Sequence, residues 1–203
     1  MRALAQFQRF VIFEPDPVAR FILRRRLNRA LPGREITWIA HDAWIDPVRR
    51  GDSIPRALLG PGTAILFSNI IGQLPYLVDS ADYPEWRKAW CEQLFPQLEQ
   101  TPWASFHDRV SCEIPPQNAL PTHVRRLEAD ELTALYEPAP RELVELYEHG
   151  SHELLPPGKS YRYLHLPLTP TMHHLIECVL GGGRSLEPPA FVLTESERSS
   201  TAR

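Results

Sequence analysis

The sequence predicts an α/β fold built on a doubly wound, mostly parallel sheet, and three observations carry that prediction. Strand-like and helical runs alternate over roughly the first 110 residues. The run Thr63-Ala64-Ile65-Leu66-Phe67-Ser68 contains four consecutive apolar residues, the mark of a strand buried on both faces beneath helices. With 203 residues, 43 % hydrophobic and 23 % charged, the chain can bury a core without disulfide or metal staples, and neither disorder nor a membrane class is favoured.

Each element has a local reason. Phe10-Val11-Ile12-Phe13 is a short apolar strand that stops at Glu14-Pro15-Asp16-Pro17. Asp16 is an N-cap and Pro17 a first-turn residue for a helix to about Ala30, with Val18, Phe21 and Ile22 on one face and Pro32-Gly33 as its stop. Ile36-Thr37-Trp38-Ile39-Ala40 is a second strand by its β-branched and aromatic content, closing on His41-Asp42. After Gly60-Pro61-Gly62 comes the third strand, and then a helix over residues 83–98, where Trp86, Trp90 and Leu94 recur at helical spacing. Trp103-Ala104-Ser105-Phe106 is the fourth strand, ending at His107-Asp108. Residues 128–155 read as a helical insertion of two short helices broken by Pro138 and Pro140. Tyr161-Arg162-Tyr163-Leu164-His165-Leu166 alternates as a strand, and Thr169-Pro170 caps a helix through Leu180 that Gly181 ends. Phe191-Val192-Leu193 is a last edge strand, and the tail from Ser196 to Arg203 is disordered. The whole forms a single domain over residues 1–195.

Composition narrows the function. A net charge of −3 and a pI near 6.2 argue against a nucleic-acid binder that works by its bulk field. The basic cluster Arg24, Arg25, Arg26 and Arg29 reads as a solvated helix face. Cys91, Cys112 and Cys178 form no CxxC pair, which fits a reducing compartment, and Cys91 and Cys112 read as small buried fillers. No run reaches the ~18 apolar residues of a membrane span, and the N-terminus lacks a signal-peptide core. The expected location is the cytoplasm. Proline is abundant at 21 residues, whereas glycine, at 10, is scarce for a phosphate-binding loop.

In open α/β sheets, ligands sit at the carboxyl ends of the strands. All four N-terminal strands place polar groups there: Glu14 and Asp16, His41-Asp42, Ser68-Asn69, and His107-Asp108. An isolated Asp or Asn at a strand end commonly caps the next helix, but four such ends together point to a site.

The stretches FVIFEPDP, ITWIAHDAW and AILFSNIIGQLP, taken in that order, resemble class I S-adenosylmethionine-dependent methyltransferases of Rossmann-like fold. The resemblance covers residues 9–115 and weakens beyond. It implies that Glu14, with Asp16 as alternate, accepts from the ribose hydroxyls of S-adenosyl-L-methionine. It places Asp42 on the adenine amino group, Ala43 beneath the base, and Ser68 and Asn69 near the methyl and the acceptor. It sets His107 and Asp108 at the active-site rim and makes YRYLHL and AFVL an antiparallel C-terminal strand pair. Ordinary imidazole chemistry suits His107 to a general base, against the alternative of a histidine satisfied by a neighbouring backbone group. One feature departs: the family's first strand and glycine-rich turn have no counterpart before Phe10. Either the gene product begins upstream of Met1 or the chain is a relative that no longer binds cofactor. The chain as given is therefore expected to bind the cofactor weakly, and a homo-oligomer or a partner is expected to cover the exposed sheet. Asn69 is followed by Ile70-Ile71-Gly72, which is unlike the Asn-Pro-Pro-Tyr run of amino-group DNA methyltransferases. The acceptor is left open between small molecule, lipid and protein.

Two rival readings stand beside this one. The His-Asp dipeptides invite a metal-dependent hydrolase, but no HxxxH or HxH spacing occurs, and His173 and His174 on a helix would point about 100° apart. The other rival is a non-catalytic α/β module that keeps the sheet for binding.

Overall fold

The computed structural model describes residues 7–42, 44–54, 59, 62–139 and 145–182. It is a mixed α/β structure with two sheets. The first is a parallel pair, β1 (Arg9–Phe13) and β2 (Glu35–Ile39), joined through α1 (Pro17–Ala30). The helix starts where the sequence dictates: Asp16 Oδ1 accepts from the backbone N–H groups of Val18 and Ala19 at 2.7 and 3.0 Å. None of its residues is buried. Val18, Phe21 and Ile22 face solvent, and Arg24 lies over the Trp38 ring. Arg25, Arg26 and Arg29 are exposed, as a solvated basic face should be.

After α2 (Ile45–Arg50) comes the second sheet, of six strands. β3 (Ile65–Ser68) runs parallel to β4 (Trp103–Cys112), and the crossover between them holds α3 (Leu74–Leu77), α4 (Tyr83–Ala89) and α5 (Phe95–Leu98). Beyond β4 the order continues antiparallel through β8 (Met172–Gly181), β7 (Tyr161–Thr169) and β5 (Thr122–Val124). The two-residue β6 (Tyr147–Glu148) pairs with the far end of β4, and α6 (Ala129–Ala134) begins with a capping box of Glu128 and Glu131.

The helices cover one face of this sheet. Phe67 and Trp103 on the strands meet Trp90 and Phe95 from the crossover at ring separations of 5.3 to 6.3 Å, and Trp86 stacks on Trp90. The indole N–H groups of Trp86 and Trp90 donate to the carbonyls of Ile45 and Leu154, so these tryptophans are core residues with satisfied polar ends. The opposite face stays open. Leu66, Phe106, Leu164, Leu166 and Leu180 are 40 to 53 % exposed, and strand pairing sets them on that side. Among the described residues, β3 has no partner on the edge away from β4.

Several expectations change. The segment after Thr169 is a strand, not a helix: His173, Leu175, Glu177 and Val179 alternate inward, and this period of two outweighs the Thr-Pro helix start. Pro170 and Thr171 form the hairpin turn, so the antiparallel C-terminal pair is β7–β8. Phe191-Val192-Leu193 lies outside the described residues. The helix over 83–98 is interrupted by a π-helical turn, Trp90–Leu94. Pro96 cannot donate, and its ring crowds the carbonyl four residues back, so the helix widens just before it. The insertion at 128–155 contains α6, β6 and a 3₁₀ turn at Ser151–Glu153 instead of two helices. β4 runs to Cys112, six residues further than its apolar run suggested. Leu66 is exposed, so β3 is buried on one face only. Cys112 is the expected buried filler, but Cys91 is exposed.

Candidate functional site

Where β4 outruns β3, the two faces of the sheet carry two polar groups of residues. A bulge in β4 creates this arrangement. Asp108 pairs with Ile176, yet Val110 pairs with Leu175 and Ser111 with His174, which leaves Arg109 as the extra residue. A bulge of this kind resets which side chains share a face. Here it returns Ser111 to the open side that Asp108 already occupies.

On that open side His174 Nδ1 lies 2.9 Å from Asp108 Oδ1. Ser111 Oγ sits between two imidazoles, 2.8 Å from His149 Nε2 and 3.5 Å from His174 Nε2. The rings of His149 and His174 stack at 6.2 Å, and the Tyr76 ring packs edge-on against His149. Asn69 joins from the end of β3 in the left-handed region, at φ 57°, a conformation Asn tolerates better than most residues. Its amide donates to Asp108 Oδ2 at 3.0 Å and its oxygen accepts from the Asp108 backbone N–H at 3.0 Å. Gly72 lets this loop lie against the strand, since a Cβ there would stand 2.7 Å from the Asp108 carbonyl oxygen. Asp108 and His174 are mostly buried, and His149 is half-buried. Burial pushes the His149 imidazole below its ordinary value, although the Asp108 carboxylate partly opposes that.

The covered side has the same residue types in a closed setting. His107 has no solvent exposure. Its Nδ1 pairs with Ser105 Oγ at 2.8 Å and its Nε2 with Glu177 Oε1 at 3.2 Å. A carboxylate can only accept, so Nε2 carries the proton and Ser105 donates to Nδ1. Glu177, fully buried, also accepts from Arg126 Nε and Nη2 and from the Tyr163 hydroxyl. Burial alone would raise the Glu177 carboxyl, but the hydrogen bond from His107 and the charge of Arg126 bring it below its ordinary value. Arg126 also lies over the Tyr161 ring, whose hydroxyl is pushed up to about 12 by burial.

Of the residues expected to act on the acceptor, the structure joins Asn69 and Asp108 and sets His107 apart, enclosed on the other face. Ser68 ends β3 exposed, next to Asn69. The expected nucleoside contacts lie at the ends of β1 and β2. Asp16 caps α1, and Asp42 accepts from the backbone N–H groups of Trp44 and Asp46 at 3.0 Å each, so both carboxylates hold helix starts. Glu14 Oε1 accepts from the Asp16 N–H, while Oε2 takes no bond from a described residue. Ala43 lies outside the described residues.

His174, Ser111 and His149 were missed as site residues. As strand neighbours, His173 and His174 face opposite sides: His173 pairs with His165 at 3.0 Å, and His174 meets Asp108. A strand reading of His173 to Val179 was the available signal, whereas the bulge left none. A cavity of about 440 Å³, lined by Ser53, Ile54, Leu59, Gln97 and Gln100, lies beside α5, toward the amino end of β4.

Comparison with protein-family models, with curated protein sequences and with solved structures finds no match.

Proposed function

We propose that this chain is the larger part of a doubly wound, Rossmann-like S-adenosylmethionine-dependent methyltransferase domain, with the acceptor end built around Asn69 and Asp108. One observation carries the reading. Among the described residues, the two parallel pairs, β1–β2 and β3–β4, each with a helical crossover, do not join each other. In the doubly wound order 3-2-1-4-5, taking out the central strand leaves two such pairs. The free edge of β3 and the apolar face containing Leu66, Phe106 and Leu180 are the surfaces that such a strand and its helix would cover. A segment outside the described residues supplies them in this reading.

The carboxylates expected to hold the nucleoside fit that use. Glu14 Oε2 is open to a ribose hydroxyl, and each oxygen of Asp42 accepts one backbone N–H while a carboxylate has room for about four such bonds. S-adenosyl-L-methionine, when bound, supplies the electrophilic methyl group. The chain's own part is to orient the acceptor, exclude water and manage a proton at the β3–β4 edge.

Titration calorimetry with S-adenosylhomocysteine tests this reading on the chain as given and on a form extended upstream in the same reading frame. Binding by the extended form, with weak or absent binding by the short one, is expected. Equal tight binding by the short form overturns the incomplete site. Absence of binding by both favours the non-catalytic α/β binding module, a reading the bare apolar face also supports. The metal-dependent hydrolase has less behind it. Among the described residues no three His, Cys, Asp or Glu side chains converge on a common ion position. Among them, no helix is long and apolar enough to cross a membrane.

A further inference from the structure

We propose that Asp108, His174, Ser111 and His149 form a proton relay, with His149 as its outer end, that takes up the proton an acceptor hydroxyl or phenol loses. The acceptor class rests on the methyltransferase reading; the relay does not.

The donor and acceptor inventory fixes its direction. Asp108 only accepts, and its Oδ2 is taken by Asn69, so the 2.9 Å contact at Oδ1 requires a proton on His174 Nδ1. The Nε2 of a neutral His174 is then bare and faces Ser111 Oγ. That oxygen holds one proton and two imidazole neighbours, so it can donate to one ring only and must accept from the other. With Ser111 donating to His174, His149 donates through Nε2, and its Nδ1, which takes no bond from a described residue, presents a lone pair. A proton gained at His149 Nδ1 releases the Nε2 proton to Ser111. Ser111 passes its own proton to His174 Nε2, and the charge comes to rest beside Asp108. Each N–H or O–H bond broken is replaced by one formed.

Three features separate this cluster from a satisfied core histidine. The β4 bulge turns Ser111 toward it. Its outer ring is half-buried, in contrast to His107, and the depressed titration of that ring keeps it unprotonated near neutrality. The groups that act on His149 are Asp108 of β4, His174 of β8 and the Tyr76 ring of α3 on its own side, the charges of Arg109 and, through the sheet, His107 of β4, with Glu148 beside it paired to Arg109. A carboxylate acceptor needs no base, so the device suits an acceptor that enters with its proton on.

Nitrogen-15 NMR of the imidazoles in the intact chain, across the histidine titration range, tests the proposal. His174 is expected as the Nδ1–H tautomer, with His149 and His174 sharing one coupled titration. Ser111→Ala should split that titration in two, and Ser111→Thr, which keeps the hydroxyl, should restore it. Two independent titrations in the wild-type chain, or an Nε2–H tautomer at His174, overturn the relay even if Ser111→Ala does not fold. Phenol should shift both rings, and in Ser111→Ala it should shift His149 alone, because the connection to His174 runs through the Ser111 hydroxyl. Shifts by benzoate and not by phenol overturn the acceptor class. S-adenosylhomocysteine binding is scored separately, so failure of the methyltransferase reading leaves the NMR result standing, and the reverse.

Discussion

The two faces of β4 hold nearly the same chemistry and do opposite things with it. Ser105, His107 and Glu177 on the covered side, and Ser111, His174 and Asp108 on the open side, are each a hydroxyl, an imidazole and a carboxylate in sequence. The covered set is closed: every oxygen of Glu177 has a partner, two arginines stand close, and solvent is excluded. The open set ends on a half-buried ring. Composition does not distinguish a structural histidine from a working one. What distinguishes them is whether the last nitrogen of the chain has anywhere to send a proton.

The largest test of that contrast is Glu177→Gln. It leaves Arg126 and Arg109 near an uncharged buried side chain, and removing one partner of such a pair costs about 3–5 kcal/mol. Urea denaturation should show that loss, and a cost below about 1 kcal/mol would mean that the covered network is not structural. Asp108→Asn, on the open side, should cost on the order of 1–2 kcal/mol, because the amide can still pair with Asn69. The same variant should disturb the His174 tautomer. A loss as large as that of Glu177→Gln would erase the distinction.

Acid should divide the two sides. His149 titrates low in the fold, so the unfolded chain takes its proton first, and stability is lost as pH falls below the ordinary imidazole value of 6.5. His165, lowered by burial and by His173, adds to the same window. Glu177 is depressed too, so its contribution is full above the ordinary carboxylate value and fades as pH falls through its folded value. Thermal midpoints should therefore decline in two steps, and His149→Gln should reduce the first alone. The smallest effect is expected of Ser111→Ala, within about 1 kcal/mol by denaturation, because its place is in the proton path and not in the core.

Much of the frame was legible. Proline and aspartate punctuate β1, α1 and β2 to within a residue or two, because caps and φ restriction act locally. The parallel β3–β4 pair followed from its apolar runs. Asn69 was readable as a strand-end residue and Asp108 as its polar neighbour, although Asp108 lies inside β4 and not at its end; their mutual hydrogen bonds are the part of the site the sequence made accessible. The rest depended on partners distant along the chain. A Thr-Pro start and a following glycine are helix signals, but the pairing of β8 with both β4 and β7 satisfies more backbone and buries more apolar surface than a lone helix would. His174 was set aside because a helix was assumed beneath it. Enclosure of His107 depends on Glu177, seventy residues away, and no local pattern announces it.

The extra residue in β4 also decides the fate of a thiol. Cys112 points inward and is almost fully buried beyond the bulge, whereas a regular strand would turn its sulfur outward and Ser111 inward. Drawing Arg109 into the ladder as a regular residue would thus do more than straighten the strand: it would bring a protected cysteine within reach of peroxide and alkylating reagents, whereas deleting Arg109 would leave the sulfur inward. Oxidant sensitivity at position 112 is a direct report on whether Arg109 stays out of the strand's register.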